Sequence, residues 1–94
     1  MKDYLSEEEK IYIKNKILEP MRPSIEKAAV FGTIPRAQIM LETSLKGLRF
    51  DKGYEARVLF DKRDDSNYVI RIQARKLECE EYVSLDYPLK LRQN

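Results

Sequence analysis

The fold turns on residues 68–75, Tyr68-Val69-Ile70-Arg71-Ile72-Gln73-Ala74-Arg75. From Ile70 onward apolar and polar side chains alternate, and in an extended chain successive side chains point to opposite faces. Tyr68, Ile70, Ile72 and Ala74 therefore share one face, and Arg71, Gln73 and Arg75 share the other. Such a strand calls for an apolar layer on one side only.

The neighbouring segments repeat this pattern. In Tyr54-Glu55-Ala56-Arg57-Val58-Leu59-Phe60, the set Tyr54, Ala56, Val58 and Phe60 points one way, and Glu55 and Arg57 point the other. In Glu80-Glu81-Tyr82-Val83-Ser84-Leu85-Asp86-Tyr87, Val83, Leu85 and Tyr87 point inward, while Glu80, Tyr82, Ser84 and Asp86 point outward. These segments read as half-buried strands of an antiparallel sheet. A connection over residues 76–79 sets Arg75 opposite Glu80, Gln73 opposite Tyr82 and Arg71 opposite Ser84. On the other face it sets Ile72 against Val83 and Ile70 against Leu85.

Residues 37–50 read as one more strand, less regular than the rest. Ile39, Leu41 and Leu45 are odd-numbered, Leu48 and Phe50 even, and Gly47 lies where the parity changes, which predicts a β-bulge there. Asp51-Lys52-Gly53 then reads as a hairpin loop.

Upstream, the chemistry is helical. Ser6 followed by Glu9 is a capping box, and Glu7 and Glu8 sit at the positive end of the helix dipole. Ile11, Ile13, Ile17, Leu18 and Met21 make an apolar stripe at helical spacing. Pro20 predicts an end or a kink; Pro23 can open a second helix with Ile25, Ala28, Ala29 and Val30 as candidates for its packing face, and Gly32 is a left-handed stop. One long helix bent at the prolines satisfies the same residues. The expected fold is thus α+β, a single domain over residues 1–94. An N-terminal helix or kinked helix pair, residues 6–31, covers one face of a four-stranded antiparallel meander, residues 37–91.

Composition narrows the chemistry. The 94 residues are 43% hydrophobic and 36% charged, and 18 Lys and Arg against 16 Asp and Glu leave a net charge of only +2. No strong field therefore selects a partner. Histidine is absent and Cys79 is the only thiol, which removes imidazole acid–base schemes, Cys/His zinc clusters and an intrachain disulfide. Glu80 and Glu81 beside Cys79 carry the wrong sign for a reactive thiolate. Asp61, Asp64 and Asp65 lack the spacing of a calcium loop, because Ile72 stands where the closing glutamate belongs. Gly32, Gly47 and Gly53 lie too far apart for a phosphate loop. No catalytic residue, metal site or cofactor is expected, and the chain reads as a non-enzyme.

Function then falls to the helix-free face and its candidate residues Arg57, Arg71, Gln73, Arg75 and Tyr82. Arginine and tyrosine are enriched at interface hot spots, so the face suits another protein or a second copy as homodimer, in the manner of a small regulatory or inhibitor-like adaptor. The alternative is phosphate recognition on RNA, single-stranded DNA or a nucleotide, with Tyr82 stacking on a base. Cross-strand ion pairs, with Arg75 on Glu80 and Arg71 diagonal to Asp86, would satisfy the same arginines without a ligand. An acidic start, Met1-Lys2-Asp3-Tyr4-Leu5-Ser6-Glu7-Glu8-Glu9, is unlike a secretory signal, and no apolar run is long enough for a membrane span. The expected setting is cytoplasmic, away from membranes.

Overall fold

The computed structural model describes residues 4–92. Along them α1 (Glu7–Ile13), a π-helical turn (Lys14–Leu18), α2 (Glu19–Phe31) and α3 (Ile34–Gly47) precede β1 (Tyr54–Lys62), β2 (Asn67–Lys76) and β3 (Val83–Lys90). The strands form one antiparallel sheet in the order β1-β2-β3, an α+β arrangement with the helices on one face.

The capping box forms as expected. Ser6 Oγ accepts the Glu9 N–H at 3.2 Å, and Glu9 Oε1 accepts the Ser6 N–H at 2.8 Å. Pro20, however, neither ends the helix nor splits it. A proline at this point has no N–H to return to residue 16, and the preceding turn widens so that the Glu19 N–H reaches back to the Lys14 carbonyl. Helical backbone then runs on through Pro20 and Pro23 to Gly32, which stops it at φ 68°. Ile13, Ile17, Met21, Ile25 and Ala28 are fully buried along this run. Ile11 and Val30 drop out of the predicted packing faces and are 56% and 66% exposed.

The strand expected over residues 37–50 is helical as far as Gly47 instead, so the described sheet has three strands rather than four. Ala37 and Leu41 are buried, and Met40, Leu45 and Leu48 pack against the core. The helical ones among them, Ala37, Met40, Leu41 and Leu45, follow a three-and-four spacing that defines one helical face. The odd-number reading leaned on Ile39, which in fact points to solvent at 67% exposure. Gly47 is the last helical residue, with no bulge. Asp51 does not turn a hairpin either; its carboxylate accepts the Gly53 N–H at 2.7 Å and leads the chain from α3 into β1.

The faces of the strands fall as predicted. Ile70, Ile72 and Ala74 are wholly buried against the helical layer, with Leu89 from β3 beside them. The β2–β3 register differs from expectation by two residues: Arg71 pairs with Asp86, Ile72 with Leu85, Gln73 with Ser84 and Ala74 with Val83. The connection occupies residues 77–82, longer than supposed, and Glu78 takes a left-handed φ of 75° within it. An even slip keeps each side chain on its own face, so inside and outside survive the error.

Candidate functional site

The helix-free face is built from the odd-numbered side chains of β1 and β2 and the even-numbered ones of β3. Register places Glu55 opposite Arg75, Arg57 opposite Gln73, Leu59 opposite Arg71, and Arg71 in turn opposite Asp86. Each arginine is therefore delivered beside a defined neighbour by backbone pairing alone.

Two of the three sheet arginines are held by carboxylates. Arg71 makes a two-pronged contact with Asp86, Nε to Oδ1 at 2.9 Å and Nη2 to Oδ2 at 3.1 Å, with Asp61 farther off at 3.9 Å. That pairing holds the Asp86 carboxyl below its ordinary value and raises Arg71. Arg75 donates through Nε to Glu55 and through Nη1 to the Cys79 carbonyl at 2.9 Å. Its partner is Glu55 directly across the ladder, not Glu80 as the shorter connection implied.

Arg57 differs. Its Nε and Nη2 donate to the Gln73 amide oxygen at 3.1 and 3.0 Å, a neutral acceptor. Among the described residues it has no carboxylate partner. Tyr82 reaches the face from the 77–82 connection rather than from a strand, with the guanidinium carbons of Arg57 and Arg75 each 4.9 Å from its ring centre. Glu55, Ala56, Arg57, Gln73, Arg75 and Tyr82 line a cavity of about 180 Å³. Four of the five predicted residues thus come together there, while Arg71 stands apart on Asp86.

These contacts bear on what the face can hold. Small-molecule pockets commonly measure about 300–1,000 Å³, so this one is small for a nucleotide. The Tyr82 ring already lies against guanidinium groups, which compete with a stacked base. Leu59 and Val69 lie half-buried on the same face. Beside the cavity a second concavity of about 520 Å³ runs between α3 and β1, lined by the apolar Leu45, Phe50, Ala56 and Val58 and by the charged Glu42, Lys46 and Arg57. Reading residues 37–50 as a strand hides this groove completely; the three-and-four spacing of Ala37, Met40, Leu41 and Leu45 is the signal that reveals it.

The remaining acidic loop is a turn. Asp64 Oδ1 accepts the backbone N–H groups of Ser66 and Asn67, both at 2.9 Å, and the Ser66 bond foremost lowers the Asp64 carboxyl. Among the described residues no three His, Cys, Asp or Glu side chains gather as a metal site, and no helix is long and apolar enough to cross a membrane. Cys79 is buried, its thiol 3.9 Å from the Tyr4 carbonyl.

No family model, curated protein or solved structure matches this chain.

The site's chemistry must then speak for itself: a rigid platform of arginines fixed by cross-strand partners, one tyrosine, and one guanidinium whose charge no carboxylate in the described chain balances.

Proposed function

We propose that the chain is a small non-catalytic binding module of the cytoplasm, acting by protein–protein contact through the helix-free face of its sheet. The observation that carries this reading is the cluster of Arg57, Gln73, Arg75 and Tyr82 around one small cavity. Arginine and tyrosine held in fixed orientations lose little freedom on binding, which favours a protein contact. Half-buried Leu59 and Val69 beside them supply apolar area, and Arg57 offers a fork to a carboxylate on the partner. Phosphate recognition draws less support, because Arg71 and Arg75 already hold carboxylates.

A photocrosslinking side chain at Ser84, on the open face, tests the reading against the same label at Lys27, an exposed residue of α2. The expected result is a discrete protein adduct from Ser84, lost with Arg57→Ala, and none from Lys27. Equal labelling from both positions would remove the assignment. Anisotropy titration with a random single-stranded oligonucleotide covers the alternative: binding that weakens steeply with salt and vanishes with Arg57→Ala would reassign the face to phosphate.

A further inference from the structure

The two outer edges of the sheet are not alike. Among the described residues the order β1-β2-β3 leaves β1 and β3 each with one unpaired side. In antiparallel strands the backbone groups of successive residues point to alternate sides. Leu77 N–H donates to the Gly53 carbonyl at 2.8 Å and Arg63 N–H to the Asn67 carbonyl at 2.9 Å, which brackets β1 with bonds to β2 at odd positions. The N–H and C=O groups of Ala56, Val58 and Phe60 therefore point outward, and each of these residues can both donate and accept. On β3, the Leu91 N–H to Ser66 carbonyl bond at 2.8 Å likewise turns odd positions toward β2. Pro88 then falls at an outward position with no N–H, a residue that blunts an edge against further pairing. β1 has no such block, and the 520 Å³ groove lies along it.

We propose that the free edge of β1 pairs antiparallel with β1 of a second copy about a two-fold axis at Leu59. Among the registers centred on residues 57 to 60, charge favours one. With Leu59 opposite itself, Arg57 faces Asp61 of the second copy and Glu55 faces Arg63, each pairing occurring twice by symmetry. On the helix side Val58 faces Phe60 of the second copy, and their outward backbone groups meet. Centring on Val58 instead sets Glu55 against Asp61, centring on Arg57 sets that residue against itself, and centring on Phe60 sets Arg57 against Arg63. Like charges directly opposite destabilise a strand pair, so the Leu59 register stands out among these four. It also gives Arg57 the carboxylate it lacks among the described residues. The inference rests on the reading that the domain works by protein contact, and it adds the partner and the edge; the pairing would join two open faces into one surface.

Sedimentation across a concentration series, with amide hydrogen exchange on the full chain, tests it. A reversible dimer is expected, in which the amides of Ala56, Val58 and Phe60 gain protection as concentration rises. Those of Glu55, Arg57 and Leu59, bonded to β2, should stay protected throughout. Arg57→Glu should weaken the dimer by about tenfold, and adding Asp61→Arg should restore it by reversing the pair. A monomer at every concentration would overturn the proposal. So would a dimer whose edge amides exchange freely, an outcome that leaves the open-face reading standing, whereas loss of the Ser84 adduct would remove that reading alone. Should Asp61→Arg fail to fold, the single Arg57→Glu variant and the wild-type exchange pattern decide.

Discussion

Lys76 at the end of β2 reaches the first turn of α1: its Nζ lies 2.9 Å from Oε2 of Glu9, the carboxylate that also closes the capping box through Oε1. One buried side chain thus ties the helix start to the sheet. The Glu81 carboxylate reinforces the same corner by accepting the Leu5 N–H at 2.9 Å.

Alkaline pH should loosen this corner. The hydrogen bond to Glu9 raises Lys76 above its ordinary 10.5, and burial raises the Tyr54 phenol above 10.0. Folding therefore favours the protonated form of both groups. Their contribution is fully present below the unfolded values and is lost as pH rises through the folded ones. Urea unfolding is expected to show a flat stability near neutrality and a fall above about pH 10. Glu9→Gln should lower stability at neutral pH and shrink that alkaline fall, since Lys76 then has no charged partner in Glu9.

Acid should act on the other side of the sheet. Hydrogen bonding to Arg71 holds Asp86 below 3.8, and the backbone bond from Ser66 does the same for Asp64. A lowered carboxyl contributes stability above its unfolded value and loses it as pH falls through the folded one. Stability should therefore decline below about pH 4. Asp86→Asn should flatten the acid limb while lowering the neutral plateau, read from the same urea titrations.

Adjacent residues on β2 should respond very differently to truncation. Ile72 is wholly buried, so Ile72→Ala is expected to cost about 2–5 kcal/mol in chemical denaturation. Arg71→Ala removes an exposed-face pair and should lose far less. Comparable losses at the two positions would contradict the assignment of faces.

The alternation that distinguishes Ile72 from Arg71 is also why so much of the sheet is legible in the sequence. A period of two survives an error in loop length, so Arg57, Gln73 and Arg75 land on the open face although the β2–β3 register slips by two. What alternation cannot supply is the partner: Arg75 finds Glu55 across the ladder because β1 pairs beside β2, a long-range fact. Residues 37–50 mislead for a different reason. Their apolar side chains fit both a bulged strand and a helix, and exposed Ile39 weights the wrong alternative. The helix formers Ala37, Gln38, Met40, Leu41 and Glu42 favour the other. Pro20 leaves an end and a continuous helix both open in the sequence, and a single π-turn that absorbs the missing donor decides for the continuous one.

The corner between α2 and α3 offers a test of local strain. Gly32 holds φ at 68°, a region where a Cβ is unfavourable, and its carbonyl accepts the Arg92 N–H at 3.0 Å. A Cβ added there would lie 2.3 Å from Arg92 Cγ, so two separate costs meet at one position. Gly32→Ala is expected to lose about 1–2 kcal/mol in urea unfolding. Arg92→Ala removes the crowding atoms beyond Cβ and leaves the backbone conformation untouched, while forfeiting the Nη2 bond to the Val30 carbonyl at 2.9 Å. In the double variant the loss from Gly32→Ala should therefore shrink but not vanish, and the residue of that loss measures the backbone cost. If Gly32→Ala costs the same with and without the Arg92 side chain, crowding contributes nothing and φ alone accounts for the glycine.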